Sequence, residues 1–209
     1  METNRHATGA EPLKSTTTLT TPKIFEWPVE AEKAEKKLLW HYRNQVEQRG
    51  RRFLMTDDLS SQVRDVARFM TGPDDGRFGI ILSGSCGNGK TTLMNAFRSV
   101  SKSYGMYALG TSATRIAAYV RNGGALDDMM NERVLCIDDL GNEPSEILHY
   151  GSVLTPLRDI LEYRYERRLF TFVTTNLGAA DIEARYGKRV RDRCREMFFN
   201  IRFGGGSFR

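Results

Sequence analysis

A chain of 209 residues, 40% of them hydrophobic, is long enough for one sizeable domain with appendages. No stretch approaches the length of a membrane-spanning helix, and the polar N-terminus lacks the apolar core of a signal peptide. The net charge of +5 is carried by residues 183–209, where eight basic side chains stand against three acidic ones, a bias suited to nucleic acid or to nucleotide phosphates.

Residues 1–22 contain the low-complexity run Ser15-Thr16-Thr17-Thr18-Leu19-Thr20-Thr21-Pro22 and are expected to form a disordered tail. Residues 23–52 read as an N-terminal helical extension. Pro28 opens a helix over 29–49 and Gly50 closes it, with Leu38, Leu39, Tyr42 and Val46 as one narrow apolar stripe. That stripe, with Trp27 and Trp40, suits docking on the chain's own domain or on a partner. Residues 53–209 read as the main domain. Thr56 to Ser60 form a turn and cap, and a helix follows to Met70 with Val63, Val66, Ala67 and Met70 inward. Residues 71–76 form a loop.

Phe78-Gly79-Ile80-Ile81-Leu82 is a short apolar run of the kind a buried strand uses. Gly84-Ser85-Cys86-Gly87-Asn88-Gly89-Lys90-Thr91 follows and fits G-x-x-x-x-G-K-[ST], the phosphate-binding P-loop. From Thr92 a helical pattern begins, with Leu93, Met94, Phe97 and Val100 on one face. Glycines at 84, 87 and 89 let successive N–H groups point inward as an anion-binding nest, and the helix start adds its positive dipole end. Lys90 can reach the β- and γ-phosphates of ATP, and the Thr91 hydroxyl can bind Mg²⁺. The candidate cradle is therefore Gly84, Ser85, Cys86, Gly87, Asn88, Gly89, Lys90, Thr91 and Thr92. The other cysteines, Cys136 and Cys194, are far from Cys86 and no C-x-x-C pair occurs, so neither a disulfide framework nor a zinc site is indicated; a reducing cytoplasm fits.

Met106-Tyr107-Ala108-Leu109 reads as the second strand, and Thr111-Ser112 as the start of a helix to Arg121, stopped by Asn122-Gly123-Gly124. Val134-Leu135-Cys136-Ile137-Asp138-Asp139 reads as a buried strand that delivers two carboxylates at its C-terminal end, where open α/β sheets bind ligands. Lying about 45 residues after a P-loop, it has the Walker B pattern: Asp138 to hold Mg²⁺ through water and Asp139 to orient an attacking water. Residues 141–151 read as loop. Thr155-Pro156 opens a helix to Arg167. Leu169-Phe170-Thr171-Phe172-Val173-Thr174-Thr175-Asn176 is a β-branched and aromatic strand, and Asn176 at its end is placed to hold a water near the γ-phosphate. A short helix over 181–186, an Arg-rich helix over 188–198 and a last strand around Ile201 and Phe203 complete the chain. Strands alternating with helices indicate an α/β fold.

Taken together, Gly84–Thr91, the Ile137-Asp138-Asp139-Leu140-Gly141 run, the Thr174-Thr175-Asn176-Leu177 run, the Arg-rich helix and the ending Gly206-Ser207-Phe208-Arg209 resemble an AAA+ ATPase of the DnaC/DnaI helicase-loader and IstB transposition-helper type. The resemblance covers roughly residues 53–209. It implies a P-loop NTPase with a five-stranded parallel sheet, order 5-1-4-3-2, with helices on both faces. It also implies an ATP-dependent homo-oligomer. Asn176 matches the sensor-1 position, Arg193 resembles the arginine finger that acts on a neighbour's ATP, and Arg209 matches a phosphate-contacting sensor-2 substitute. Asp139 stands where AAA+ proteins at large carry Glu, and no C-terminal helical lid is expected. The implied partners are a hexameric replicative helicase and single-stranded DNA, with no membrane; the alternatives are a transposase on duplex DNA, or a nucleotide-switch adaptor that hydrolyses ATP weakly.

Overall fold

The computed structural model describes residues 27–72, 76–149 and 151–204. The tail over 1–22 and Arg209 with its preceding Gly206-Ser207-Phe208 lie outside the described residues. The elements run α1 (Ala31–Gln48), α2 (Asp57–Met70), β1 (Gly79–Gly84), α3 (Lys90–Ser103), β2 (Leu109–Ser112), α4 (Ala113–Arg121), α5 (Asp127–Asn131), β3 (Val134–Leu140), β4 (Ile147–His149), β5 (Ser152–Leu154), α6 (Pro156–Glu166), β6 (Phe170–Thr175), α7 (Ala179–Tyr186), α8 (Lys188–Met197) and β7 (Phe198–Phe203).

Five strands form one parallel sheet in the order β7-β1-β6-β3-β2. Counted among these five in chain order, that is 5-1-4-3-2. The central strands β1, β3 and β6 are buried on both faces, so their side chains divide by the two-residue pleat. Ile80, Leu82, Cys136, Phe170 and Phe172 join one core with α1, α2 and α3. Ile81, Leu135, Ile137 and Val173 join the other with α4, α6, α7 and α8. Helices therefore cover both faces.

Helix α1 is part of the first core. Ala34, Leu38 and Tyr42 are buried, spaced four residues apart on one face. Ahead of it, Trp27 is 2% exposed, meets Phe97 and Phe170 edge-on, and donates its indole N–H to Ser101 Oγ at 3.1 Å. A buried tryptophan takes such a position where its N–H finds an acceptor. Helix α2 starts where Thr56 Oγ1 accepts from the Leu59 N–H at 3.1 Å, and α4 where Ser112 Oγ accepts from the Arg115 N–H at 3.2 Å.

Two local expectations are corrected. The second strand is Leu109–Ser112 rather than the apolar run from Met106 to Leu109, and Ser112 caps α4. Tyr107 is 65% exposed, whereas Leu109↔Leu135 through Ser112↔Asp138 pair in register with β3. Residues 141–151 are not all loop: β4 and β5 form an antiparallel hairpin whose Ile147 packs on Ala117 and Val120 of α4. A short helix, α5, also lies between α4 and β3, where the sequence pattern marks no element.

Candidate nucleotide site

The C-terminal ends of β1, β3 and β6 meet at one edge of the sheet, and α3 starts there. Gly89 is the N-cap of α3 with φ +95°, a left-handed conformation that glycine adopts without strain. A Cβ at Gly89 would stand 2.2 Å from Tyr42 Oη, so α1 backs the P-loop closely. Lys90 is 5% exposed. Its Nζ lies 2.8 Å from Gly84 O, 2.7 Å from Ser85 O, 3.2 Å from Asn88 Oδ1 and 2.9 Å from Asn176 Oδ1. Burial draws the Lys90 ammonium below its ordinary pKa, opposed by the charges of Asp139, Cys86 and Asp138. Asn88 also donates to Phe203 O at 2.9 Å, which fastens the loop to β7.

Asp138 Oδ1 accepts from Thr91 Oγ1 at 2.9 Å and from Thr174 Oγ1 at 2.6 Å. Thr174 Oγ1 in turn accepts from the Asp139 N–H at 2.9 Å. One hydroxyl on β6 thus holds both residues of the acidic pair. The β3–β6 pairing is irregular between Ile137 and Leu140, and Asp139 sits at φ +55°. That break turns two consecutive carboxyl-bearing residues toward the sheet edge instead of onto opposite faces.

The structure therefore brings Lys90, Thr91, Asp138, Asp139 and Asn176 to one edge. A cleft of about 340 Å³ includes Cys86, Gly87, Asn88, Gly89, Lys90, Thr91, Thr92, Asp139 and Asn176 in its lining. The opposite wall comes from Tyr42, Val46, Arg49, Phe53 and Leu54, at the end of α1 and the segment after it. Arg49 Nη1 donates to Thr92 Oγ1 at 3.0 Å. This wall and Thr174 were not singled out as site residues in the sequence; the Arg49–Gly50–Arg51–Arg52 cluster was the available signal.

Arg193 lies apart, on α8. Its side chain is 15% exposed, with Nη2 3.0 Å from Glu166 Oε1, Nη1 3.4 Å from Glu162 Oε2, and the guanidinium over the Tyr165 ring at 5.0 Å. Arg189 on the same helix is 64% exposed.

The donor set fits a magnesium nucleotide. Mg²⁺ prefers hard oxygen ligands and keeps much of its water, using one or two protein groups with substrate phosphates. Thr91 and Asp138 supply such oxygens. Among the described residues, no three His, Cys, Asp or Glu side chains converge to cage a metal alone. Also among the described residues, no helix is long and apolar enough to cross a membrane.

The five-stranded parallel sheet with a P-loop at its edge is a fold that this chain shares with solved structures of a helicase loader and related proteins. The DnaC helicase loader aligns at 24% identity and a TM-score of 0.57 over 73% of this chain and 93% of that one. DnaI aligns at 23% identity and a TM-score of 0.56 over 72% and 87%. DnaA from Aquifex aeolicus, in a structure bound to AMPPCP, aligns at 16% identity and a TM-score of 0.52 over 71% of this chain and 48% of that one. At these identities the likeness is one of fold. No protein-family model and no curated protein matches the chain.

Proposed function

We propose that this chain is an ATPase that loads or remodels a hexameric replicative DNA helicase on single-stranded DNA. The observation that carries the proposal is the convergence of Lys90, Thr91, Asp138, Asp139 and Asn176 on one sheet edge, in a fold shared with most of the length of a helicase loader.

In this mechanism the P-loop N–H groups and Lys90 bind and neutralise the triphosphate. Mg²⁺, held by Thr91 and Asp138, would supply further charge neutralisation on the phosphates. Asp139 orients the attacking water and accepts its proton, and Asn176 holds that water against the γ-phosphate. Lys90 and Asn176 are already in contact, so the phosphate-binding and water-holding groups report on each other. Arg193 acts in trans on a neighbour's nucleotide, after exchanging its contacts with Glu162 and Glu166 for the subunit interface. Binding of ATP favours the homo-oligomer, and the basic side chains of the C-terminal part contact DNA phosphates without reading sequence.

The test is co-elution with the host's replicative helicase by size-exclusion chromatography with light scattering, with and without ATP. A stable complex that is ATP-dependent and lost in Lys90→Ala is expected. A folded, ATP-binding protein that forms no complex in either state would overturn the loader assignment and direct the search to a transposase on duplex DNA. Failure of Lys90→Ala to weaken ATP binding would sink the site itself.

A further inference from the structure

Beyond the acidic pair, the chain turns sharply. The Asn142 N–H donates to Asp139 O at 3.1 Å, closing a turn over 139–142. Gly141 has φ +104°, a conformation that favours glycine, and a Cβ there would stand 2.6 Å from Leu177 Cδ1, so a larger residue would also have to displace that side chain. The turn is held from below by one carboxylate. Glu143 is 4% exposed, and its Oε2 accepts from the Gly141 N–H at 2.8 Å. Its Oε1 accepts from the Tyr186 hydroxyl and from Arg185 Nε, the latter at 3.3 Å, while Arg185 Nη2 donates to the Glu143 backbone carbonyl. Burial, reinforced by the bond to Glu143, pushes the Tyr186 hydroxyl well above its ordinary pKa, so it stays a donor.

We propose that Glu143 is a positioning residue that sets the turn carrying Asp139 and ties it to the helix pair α7–α8 that carries Arg193. The proposal rests on the ATPase assignment above. A buried carboxylate is a poor device for stability alone, because desolvation offsets much of the attraction to its partners. Here its two oxygens divide the work. One grips the backbone two residues after Asp139. The other grips Arg185 and Tyr186 at the end of α7, and Gly187 then leads directly into α8. A shift of the Asp139 turn on water activation is thereby transmitted to the helix whose arginine serves the adjacent subunit. Glu143 does not line the cleft that holds Lys90 and Asp139; it acts through Asp139.

The experiment measures ATP turnover by the full chain for wild type, Glu143→Gln, Asp139→Asn and the double variant, with ATP binding and thermal melting in parallel. Glutamine keeps the size but loses the charge that Arg185 and Gly141 share. The expected result for E143Q is a kcat lower by about tenfold with KM within about twofold of wild type, the split of a misplaced catalytic group. The double variant should turn over no more slowly than Asp139→Asn alone. A merely structural role would instead multiply the two losses and move the melting temperature with them. Tyr186→Phe, which removes one donor and keeps the ring, should give a smaller kcat loss of about threefold with the same split; it carries the test if E143Q does not fold. E143Q or Y186F turning over like wild type, or multiplicative losses in the double variant, would overturn the inference alone. Absence of ATP binding in the wild type would sink the ATPase assignment and this inference with it.

Discussion

At the scale of single residues, Thr174 shows how little chemistry is needed to orient a site. Its hydroxyl donates to Asp138 and accepts from the Asp139 backbone, so one rotamer holds both acidic residues. Asp139 occupies a left-handed conformation that costs a non-glycine residue about 1–3 kcal/mol in unsupported backbone, less for Asp, and the Thr174 bond helps to hold it there. The cysteines show the opposite case, identity without shared behaviour. Burial pushes the Cys136 and Cys194 thiols up to about 12, while Cys86 is exposed on the P-loop. A thiol must ionise to react, and at pH 8 the two buried groups stay protonated and shielded. A maleimide at pH 8 should therefore modify one thiol per folded chain, at Cys86, and saturating ATP should slow that reaction; peptide mapping by mass spectrometry checks both. Modification of Cys136 or Cys194 at a similar rate would mean that the core is more open than described.

At the scale of elements, α1 shapes the cleft beside the P-loop. Its inner face is continuous with the core of α2, α3 and the sheet, and its C-terminal end supplies Tyr42, Val46 and Arg49 to the cleft wall. The helix stabilises the domain and forms the site with the same turns. Leu38→Ala removes a fully buried side chain and should lower stability by about 2–5 kcal/mol, read from chemical denaturation. Trp40, on the same helix, is 59% exposed, and Trp40→Ala should stay within about 0.5 kcal/mol of wild type. Equal losses from both substitutions would contradict the packing of α1. The element boundaries that sequence patterning misjudged have a common cause. Strand β2 is an edge strand reading Leu-Gly-Thr-Ser, with no fully buried residue, so the apolar run before it carried the stronger signal. The β4–β5 hairpin is made of three-residue strands, too short for an alternation to be legible.

At the scale of the whole molecule, the finger assignment requires a second subunit. Arg193 is paired with Glu162 and Glu166 within its own chain, far in sequence from the P-loop. If it acts in trans, two different inactive variants should complement. Arg193→Ala keeps its own P-loop and acidic pair, while Asp139→Asn keeps its finger. Each alone should lose turnover by at least about 100-fold, given what fingers and catalytic bases contribute. Mixed in equal amounts with ATP, they should recover a measurable fraction of wild-type turnover, because some interfaces join an intact site to an intact finger. A mixture as inactive as its components would place the finger elsewhere, with exposed Arg189 the next residue to test.

What the sequence by itself determined was local. The P-loop, the two strands ending in Asp138-Asp139 and in Asn176, the order of helices and strands, and the apolar stripes that became core are all encoded within a few residues of one another, where spacing and residue type state the backbone geometry directly. Lys90, Thr91, Asp138, Asp139 and Asn176 were legible for that reason, and the structure brings them to a common edge. Tertiary structure alone decided which remote groups complete that edge. Thr174 reaches the acidic pair because β6 lies beside β3 in a register that shifts at the irregularity near Asp139. Arg49 and Tyr42 reach the P-loop because α1 packs along α3, and Glu143 meets Tyr186 because α7 folds back under the turn after β3. Contacts across tens of residues depend on strand register and on how helices close over the sheet, and no short window of sequence contains either.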